Sequence, residues 1–392
     1  MQPVAYERVR LPASQRIVMI HRMSAAIPAA FRFFVLALVL FPESGDVMRD
    51  LTGAVVGVAG QGKIESPVPH QVIQRDGDSG IVPIVGHIPG TSDTQLEYRV
   101  IALKDAFGKG SDWTGLSAKW DDGRFTSQAR FTAGGWYRLE VRAKKGDRVV
   151  EMSVEPVGVG EVFLIAGQSY AGNFNERRMR INDPEGRVVA FDVVKKSWSV
   201  AHDPQPIQTY GGNLGSIWPS MGNLLLASAR VPIGMVNVSS GATASREWLP
   251  QQKLYVQFAE AGKTIGRFRA VLWQQGESDV IAKVTTETYI ENLSKIRKGL
   301  AKEWGFEPTW LLAKSTHHPT VYNDPEHEGQ IRHAIDELCN LPGFRHGPDT
   351  DTLQGENREV AGSRHLTSIG QENAGKLWFD VIREELAPGR AP

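Results

Sequence analysis

The hydrophobic pattern changes its grammar once along this chain. From Ala54 to about Gly158, short alternating or apolar runs recur between Gly-rich turns. Gln71-Val-Ile-Gln-Arg75 and Leu96-Glu-Tyr-Arg-Val-Ile-Ala102 alternate, and Ile81-Val-Pro-Ile-Val85 is apolar. Arg124-Phe-Thr, Gly135-Trp-Tyr-Arg-Leu-Glu-Val-Arg142 and Val149-Val-Glu-Met-Ser-Val154 continue the series. Strands at this spacing, punctuated by Asp76-Gly, Gly90, Gly108 and Lys145-Gly-Asp147, predict a β-sandwich over residues 51–158. No catalytic constellation of His, Asp and Glu stands out there, so the sandwich reads as an accessory domain. Trp113, Trp120 and Trp136 fit core or interface packing better than a sugar platform.

After Gly160 strands and helices alternate, over a second domain of residues 159–392. Strand candidates are Val162–Ala166, Ile233–Val238, Ala270–Trp273 and Trp310–Ala313, with Phe344–Pro348 a weaker fifth. Tyr289, Leu293, Ile296, Leu300 and Trp304 share one helix face at spacings of three and four. Pro325 opens another helix, to about Asn340, because Pro suits a first turn. Ser368-Ile-Gly-Gln371 reads as a capping box ahead of a helix whose apolar face is Ala374, Leu377, Trp378, Val381 and Ile382. The sum is an α/β fold, a three-layer doubly wound parallel sheet behind the sandwich.

The first strand of that domain runs into Gly167-Gln-Ser169, where an α/β sheet places its ligands. A Ser at the mouth of a helical turn has free N–H groups beside it that can hold an oxyanion, although a Ser there is often only a cap. Further chemistry stands at other strand ends. Gly241 lies in Val238-Ser-Ser-Gly-Ala-Thr-Ala-Ser-Arg-Glu-Trp248, and a Gly can expose its N–H to a ligand. The third strand ends in Trp273-Gln-Gln-Gly-Glu-Ser-Asp279, where Gln275 can offer an amide N–H and Glu277 an acid. His365 precedes the cap of the last helix and serves as a base once something orients it. His317-His318, before Pro319, faces the same edge and suits a pocket lining or a sugar hydroxyl better than a metal.

Composition narrows the partners. Lys+Arg and Asp+Glu are both 44, so no global field recruits nucleic acid or an anionic membrane, and a neutral small molecule or glycan fits best. One cysteine, Cys339, excludes an internal disulfide framework and a Cys-based zinc cluster. Near the N-terminus, Phe33-Phe-Val-Leu-Ala-Leu-Val-Leu-Phe41 follows Arg22 and Arg32. It is too short to span a bilayer and fits the apolar part of a secretory signal, with Met23 a better start than Met1. Residues 1–50 are therefore read as a leader and the protein as secreted or periplasmic, with no membrane span in the mature chain. The pattern leaves the oligomeric state open.

Gly-Gln-Ser169, Gly241-Ala-Thr with Glu247-Trp, Gln275-Gly-Glu-Ser-Asp279 and the late His365 together resemble the SGNH-type carbohydrate esterases, in particular the sialate O-acetylesterase and acetylxylan esterase group. The resemblance covers about Gly160 to Arg383 and implies a flavodoxin-like hydrolase sheet. It implies Ser169 as nucleophile, His365 as general base, and an oxyanion hole of the Ser169 N–H, the Gly241 N–H and the Gln275 side chain. It further implies Tyr170, Asn173 and His318 as substrate contacts, an acetylated carbohydrate as substrate, an acyl-enzyme intermediate, and neither metal nor organic cofactor. Two positions depart from the family pattern. Tyr170 stands where Asn usually follows the serine, and Gly362 stands where Asp usually precedes the histidine by three. The third triad member is then Asp349, Asp351 or Glu277, or a backbone carbonyl, since an orienting acid can matter about ten-thousandfold. The rival reading is a catalytically silent glycan-binding protein on the same fold.

Overall fold

A computed structural model describes residues 62–88, 94–317, 323–358 and 365–387 of the chain. The leader segment Met23–Phe41, His318 and Gly362 lie outside the described residues. Nine strands come first. They are β1 (Lys63–Ser66), β2 (Val72–Gln74), β3 (Ser79–His87), β4 (Gln95–Phe107), β5 (Ser111–Leu116), β6 (Ala118–Asp121), β7 (Arg124–Thr132), β8 (Gly134–Lys145) and β9 (Arg148–Gly167). β1, β3, β7 and β6 form an antiparallel sheet. It faces a second layer in which β5, β4, β8 and the first half of β9 are antiparallel neighbours and β2 pairs parallel to β9. Their inner residues, among them Val82, Ile84, Phe125 and Phe131 from one layer and Leu139, Val141, Val157 and Val159 from the other, share one core. This is the alternation of inward apolar and outward polar positions expected of a sandwich. Trp136 is buried in the core beyond β9, and the guanidinium groups of Arg99 and Arg142 lie over the Trp113 ring, 4.7 and 3.9 Å from its centre.

β9 does not stop where the sandwich does. Its second half becomes the middle of a sheet with the order β11-β10-β12-β9-β13-β14-β15, where β10 is Val188–Asp192, β11 Ser197–Val200, β12 Ile233–Asn237, β13 Ala270–Gln274, β14 Thr309–Lys314 and β15 Phe344–Asp349. All neighbours pair in parallel except the β10/β11 hairpin at the edge. Both faces are covered, which is why these strands are continuous apolar runs. Val162, Leu164 and Ala166 point to one core and Phe163 and Ile165 to the other.

Helices α1 (Trp218–Ala229), α2 (Lys253–Ile265), α3 (Glu277–Ile281), α4 (Thr286–Trp304), α5 (Pro325–Cys339) and α6 (Ser368–Glu385) follow in chain order. α2, α4 and α5 supply Phe258, Leu293, Ile296 and Ile331 to the first core. α1 and α6 supply Trp218, Met221, Trp378 and Ile382 to the second. Asp324 caps α5 by accepting from the His327 N–H, with Pro325 in its first turn. α6 is capped by Thr367, whose hydroxyl accepts from the Gly370 N–H at 3.1 Å. The cap thus sits one residue ahead of the expected Ser368, and Gln371 closes no capping box. Among the described residues no helix is long and apolar enough to cross a membrane.

Candidate active site

β9 is the strand at which the winding reverses, with β12 and β10 on one side and β13 to β15 on the other. Its carboxyl end is the place an α/β sheet offers a ligand. The chain leaves β9 through Gly167, at φ +135°, where a Cβ would lie 2.0 Å from the Gln274 carbonyl oxygen, so only glycine lets the two strand ends meet so closely. Gln168 donates its N–H to that carbonyl at 3.0 Å. Ser169, Tyr170 and Ala171 then make one turn of 3-10 helix. The Ala171 carbonyl accepts from Trp218 Nε1 at 2.7 Å and Asn237 Nδ2 at 2.8 Å. Two donors from neighbouring elements therefore pin the turn that carries Ser169, which is 7% exposed. No side chain caps the turn, and among the described residues no acceptor takes the Ser169 N–H.

His365 reaches this edge from the other end of the domain. Its ring lies 5.4 Å from that of Tyr170, edge on, and 5.6 Å from that of Phe174, nearly parallel. The imidazole thus packs between the residue that follows Ser169 and an aromatic ring of the same loop. The two segments are laced together. Leu366 donates its N–H to Asn175 Oδ1 at 3.1 Å and accepts from the Glu176 N–H at 3.0 Å. Gln371 accepts from the Arg177 N–H and donates to the Arg177 and Ser216 carbonyls, each at 2.8 Å. What looked like a capping residue is a clamp between the histidine-bearing helix and the serine loop.

The structure brings His365 against the residue that follows Ser169 and gives most other candidates different partners. Gln275 is fully buried, and its Nε2 donates to Asp279 Oδ2 at 2.5 Å and the Thr243 carbonyl at 3.0 Å, with Gln168 Oε1 at 3.3 Å. Both amide protons are spent, and the reversed amide would set oxygen against carboxylate and carbonyl, so Gln275 is no oxyanion donor in this arrangement. The Gly241 N–H donates to the Tyr210 carbonyl at 2.7 Å. It is likewise occupied, by a loop whose Tyr210 side chain is 68% exposed and whose ring meets Phe174 at 5.1 Å. Asn173 is buried, gives Nδ2 to the Gln205 carbonyl at 2.9 Å and takes the Gln205 N–H at 2.7 Å. It is a loop clamp, 1% exposed.

The two aspartates are also committed. Arg332 donates to Asp349 at 2.9 and 2.5 Å and to Asp351 at 2.8 Å. Asp351 further accepts from the Thr316 N–H and hydroxyl and the His317 N–H. Arg332 beside it holds the Asp349 carboxyl below the usual range although burial opposes this. Glu277, at the start of α3, is fully buried and accepts from Ser315 Oγ at 2.6 Å. Burial pushes its carboxyl up to about 8, against the hydrogen bond from Ser315. Glu277 is thus a neutral acid under the β14 end, and Asp349 and Asp351 serve Arg332. The sequence placed all three at the right sheet edge without revealing these partners.

Tyr170, at 2% exposure, is too enclosed to touch a sugar. Its hydroxyl meets the guanidinium of Arg358, which lies 5.0 Å from its ring centre. Arg358 is buried and also donates to the Leu353 carbonyl at 2.6 Å and the Thr350 carbonyl at 3.2 Å. It ties the segment after β15 to the residue beside Ser169. A lone Arg in a polar loop carries no spacing signal, so the sequence pattern does not single it out. The Cys339 thiol, pushed up to about 12 by burial, is no competing nucleophile.

The chain resembles known proteins. A family described as carbohydrate esterase, sialic acid-specific acetylesterase, matches residues 159–381, more than half of the chain. A probable carbohydrate esterase of Arabidopsis thaliana is 27% identical over 200 residues, 45% of this chain and 76% of the plant protein. The crystal structure of a carbohydrate acetylesterase from Xanthomonas citri superposes with a TM-score of 0.54 at 18% identity, over 81% of this chain and 73% of that one. The last likeness is one of fold.

Proposed function

Because this chain belongs to the carbohydrate esterase family of sialic acid-specific acetylesterases, we propose that it removes O-acetyl groups from a carbohydrate by a serine mechanism. In this reading Ser169 Oγ attacks the acetyl carbonyl while His365 takes the hydroxyl proton. The sugar oxygen leaves with that proton, and water then releases acetate from the acyl-serine. The open first turn at Ser169 supplies its N–H to the oxyanion, and the Gly241 N–H joins if Tyr210 releases it. The observation that carries the reading is the packing of His365 against Tyr170, one residue from Ser169, at the carboxyl end of the central strand. Phe174 and Tyr170 pack against the imidazole and narrow its positions beside Ser169. Export of the protein remains part of the proposal, resting on the apolar run before residue 42.

One observation favours the silent glycan-binding alternative, namely the Gly241 amide held by Tyr210. A chromogenic acetyl ester separates the two readings. The esterase reading expects wild-type turnover to fall by about a thousandfold or more in both Ser169→Ala and His365→Ala with unchanged melting temperatures. Equal rates in wild type and Ser169→Ala would leave only binding.

A further inference from the structure

A second concavity lies on the same sheet edge. The ends of β14 and β15 and the first turns of α5 line an open concavity of about 250 Å³, formed by His317, Glu328, Arg332, Asp349, Asp351, Thr352 and Gln354. The size suits one monosaccharide unit and falls below the ~300–1,000 Å³ of sites that enclose drug-sized ligands. β14 is two strands and β15 three strands from β9. At 4.7–4.9 Å per strand that is roughly 10–14 Å from the Ser169 strand. That separation is within reach of a short oligosaccharide lying along the sheet edge. Arg358 links the two places, since it donates to the Thr350 and Leu353 carbonyls on one side and meets the Tyr170 hydroxyl on the other.

The polar groups indicate what kind of sugar fits. Arg332 is the one guanidinium in the lining, and Asp349 and Asp351 already occupy it. Three carboxylates against one Arg leave the cavity negative whether or not His317 carries a proton. Glu328 Oε1 is buried, 3.4 Å from His317 Nδ1, and has no hydrogen-bond partner among the described residues. It is an acceptor waiting for a hydroxyl. Gln354 gives one amide proton to the Asp351 carbonyl and keeps its Oε1 and second proton for another partner. Hydroxyls that both donate and accept match this set, whereas a sugar carboxylate would meet like charge and no free guanidinium.

We propose that this cavity is a subsite for a neutral sugar unit, and that the substrate is an acetylated neutral glycan and not an acetylated sialic acid or uronate chain. The inference rests on the esterase reading for the word substrate, but the binding site itself does not. The test uses the full chain as Ser169→Ala, so that no ester is consumed, and measures binding by calorimetry. The ligands are a neutral xylo-oligosaccharide and a uronate oligosaccharide of equal length. The neutral ligand is expected to bind at least tenfold more tightly. Adding Glu328→Gln and Gln354→Ala should weaken the neutral ligand on the order of tenfold, the cost of one or two hydrogen bonds. Losing one carboxylate should also narrow the neutral-to-anionic gap, which a loss of structure would not do. An anionic ligand that binds as well as the neutral one, or a neutral affinity untouched in the folded variant, overturns the assignment. A protein inert on the chromogenic ester that still discriminates the two sugars would fail as an esterase and keep this subsite.

Discussion

Gln275 and Glu277 bracket the tight turn after β13, and their burial sets different tasks. Gln275 joins Asp279, Thr243 and Tyr289, whose hydroxyl lies 3.0 Å from Gln275 Oε1. Truncating it would take one hydrogen bond from the buried Asp279 carboxylate, which keeps Ser245, and one from the Tyr289 hydroxyl, which keeps the Gln275 backbone carbonyl, at about 0.5–1.5 kcal/mol each. Gln275→Ala should therefore lower the melting temperature by several degrees, whereas a pure oxyanion donor would cost turnover alone. A variant that melts like wild type but turns over a hundredfold more slowly would restore the donor role. Glu277 has its folded pKa raised to about 8 by burial, from an ordinary 4.5. Its contribution to stability is full below the ordinary value and is lost as pH rises through the folded one, because the unfolded chain ionises it first. Glu277→Gln keeps the acceptor for Ser315 without the titration. Wild type should lose stability relative to the variant between about pH 5 and pH 8, at up to ~1.4 kcal/mol per pH unit, and denaturant melts that stay parallel over that range would contradict the neutral acid.

At the scale of elements, the serine loop and the histidine helix depend on a few polar ties. Gln371 holds Arg177 and Ser216 from the first turn of α6. Gln371→Ala should let His365 drift from Ser169, and a displacement near 1 Å can cost about a hundredfold. The expectation is a drop in kcat of ten- to a hundredfold with KM nearly unchanged, and a shift confined to KM would argue against a positioning role. The elements themselves were largely readable in the sequence. Ile233–Asn237, Ala270–Gln274 and Thr309–Lys314 are apolar runs because both sheet faces are covered, and the apolar face of α4 stands at helical spacing. The edge hairpin of β10 and β11 escaped, its second strand being only four residues long. What the pattern could not carry was which polar group meets which. Gln275 meeting Asp279 is a contact four residues apart on a helical turn, and that spacing was visible. The Tyr210 carbonyl on the Gly241 amide has no sequence signature, because a backbone acceptor belongs to every residue.

The whole molecule turns on β9, which is sandwich strand and central sheet strand in one. The sequence suggests a break near Gly158 and Gly160, yet the strand runs through. Glycine is needed at 160 since a Cβ would lie 1.9 Å from the Pro232 carbonyl oxygen, so the residue that reads as a turn serves a close crossing. At this seam Glu161, wholly buried, pairs with Arg75 of the sandwich side at 2.6 Å and Arg269 before β13 at 2.8 Å. Those partners keep 21% and 32% of their side chains exposed, so Glu161→Ala should cost about 3 kcal/mol, the lower end for a broken buried pair. A denaturant melt that moves less than about 1 kcal/mol would show the seam held by apolar packing alone. Esterase chemistry in this chain depends on the nucleophile at the end of this strand. Its most direct test is to treat the full chain with a chromogenic organophosphonate and locate the adduct by mass spectrometry of its peptides. One equivalent is expected on Ser169, with labelling abolished in Ser169→Ala and slowed at least a hundredfold in His365→Ala. Labelling of another residue, or labelling of Ser169 at an unchanged rate without His365, would contradict it.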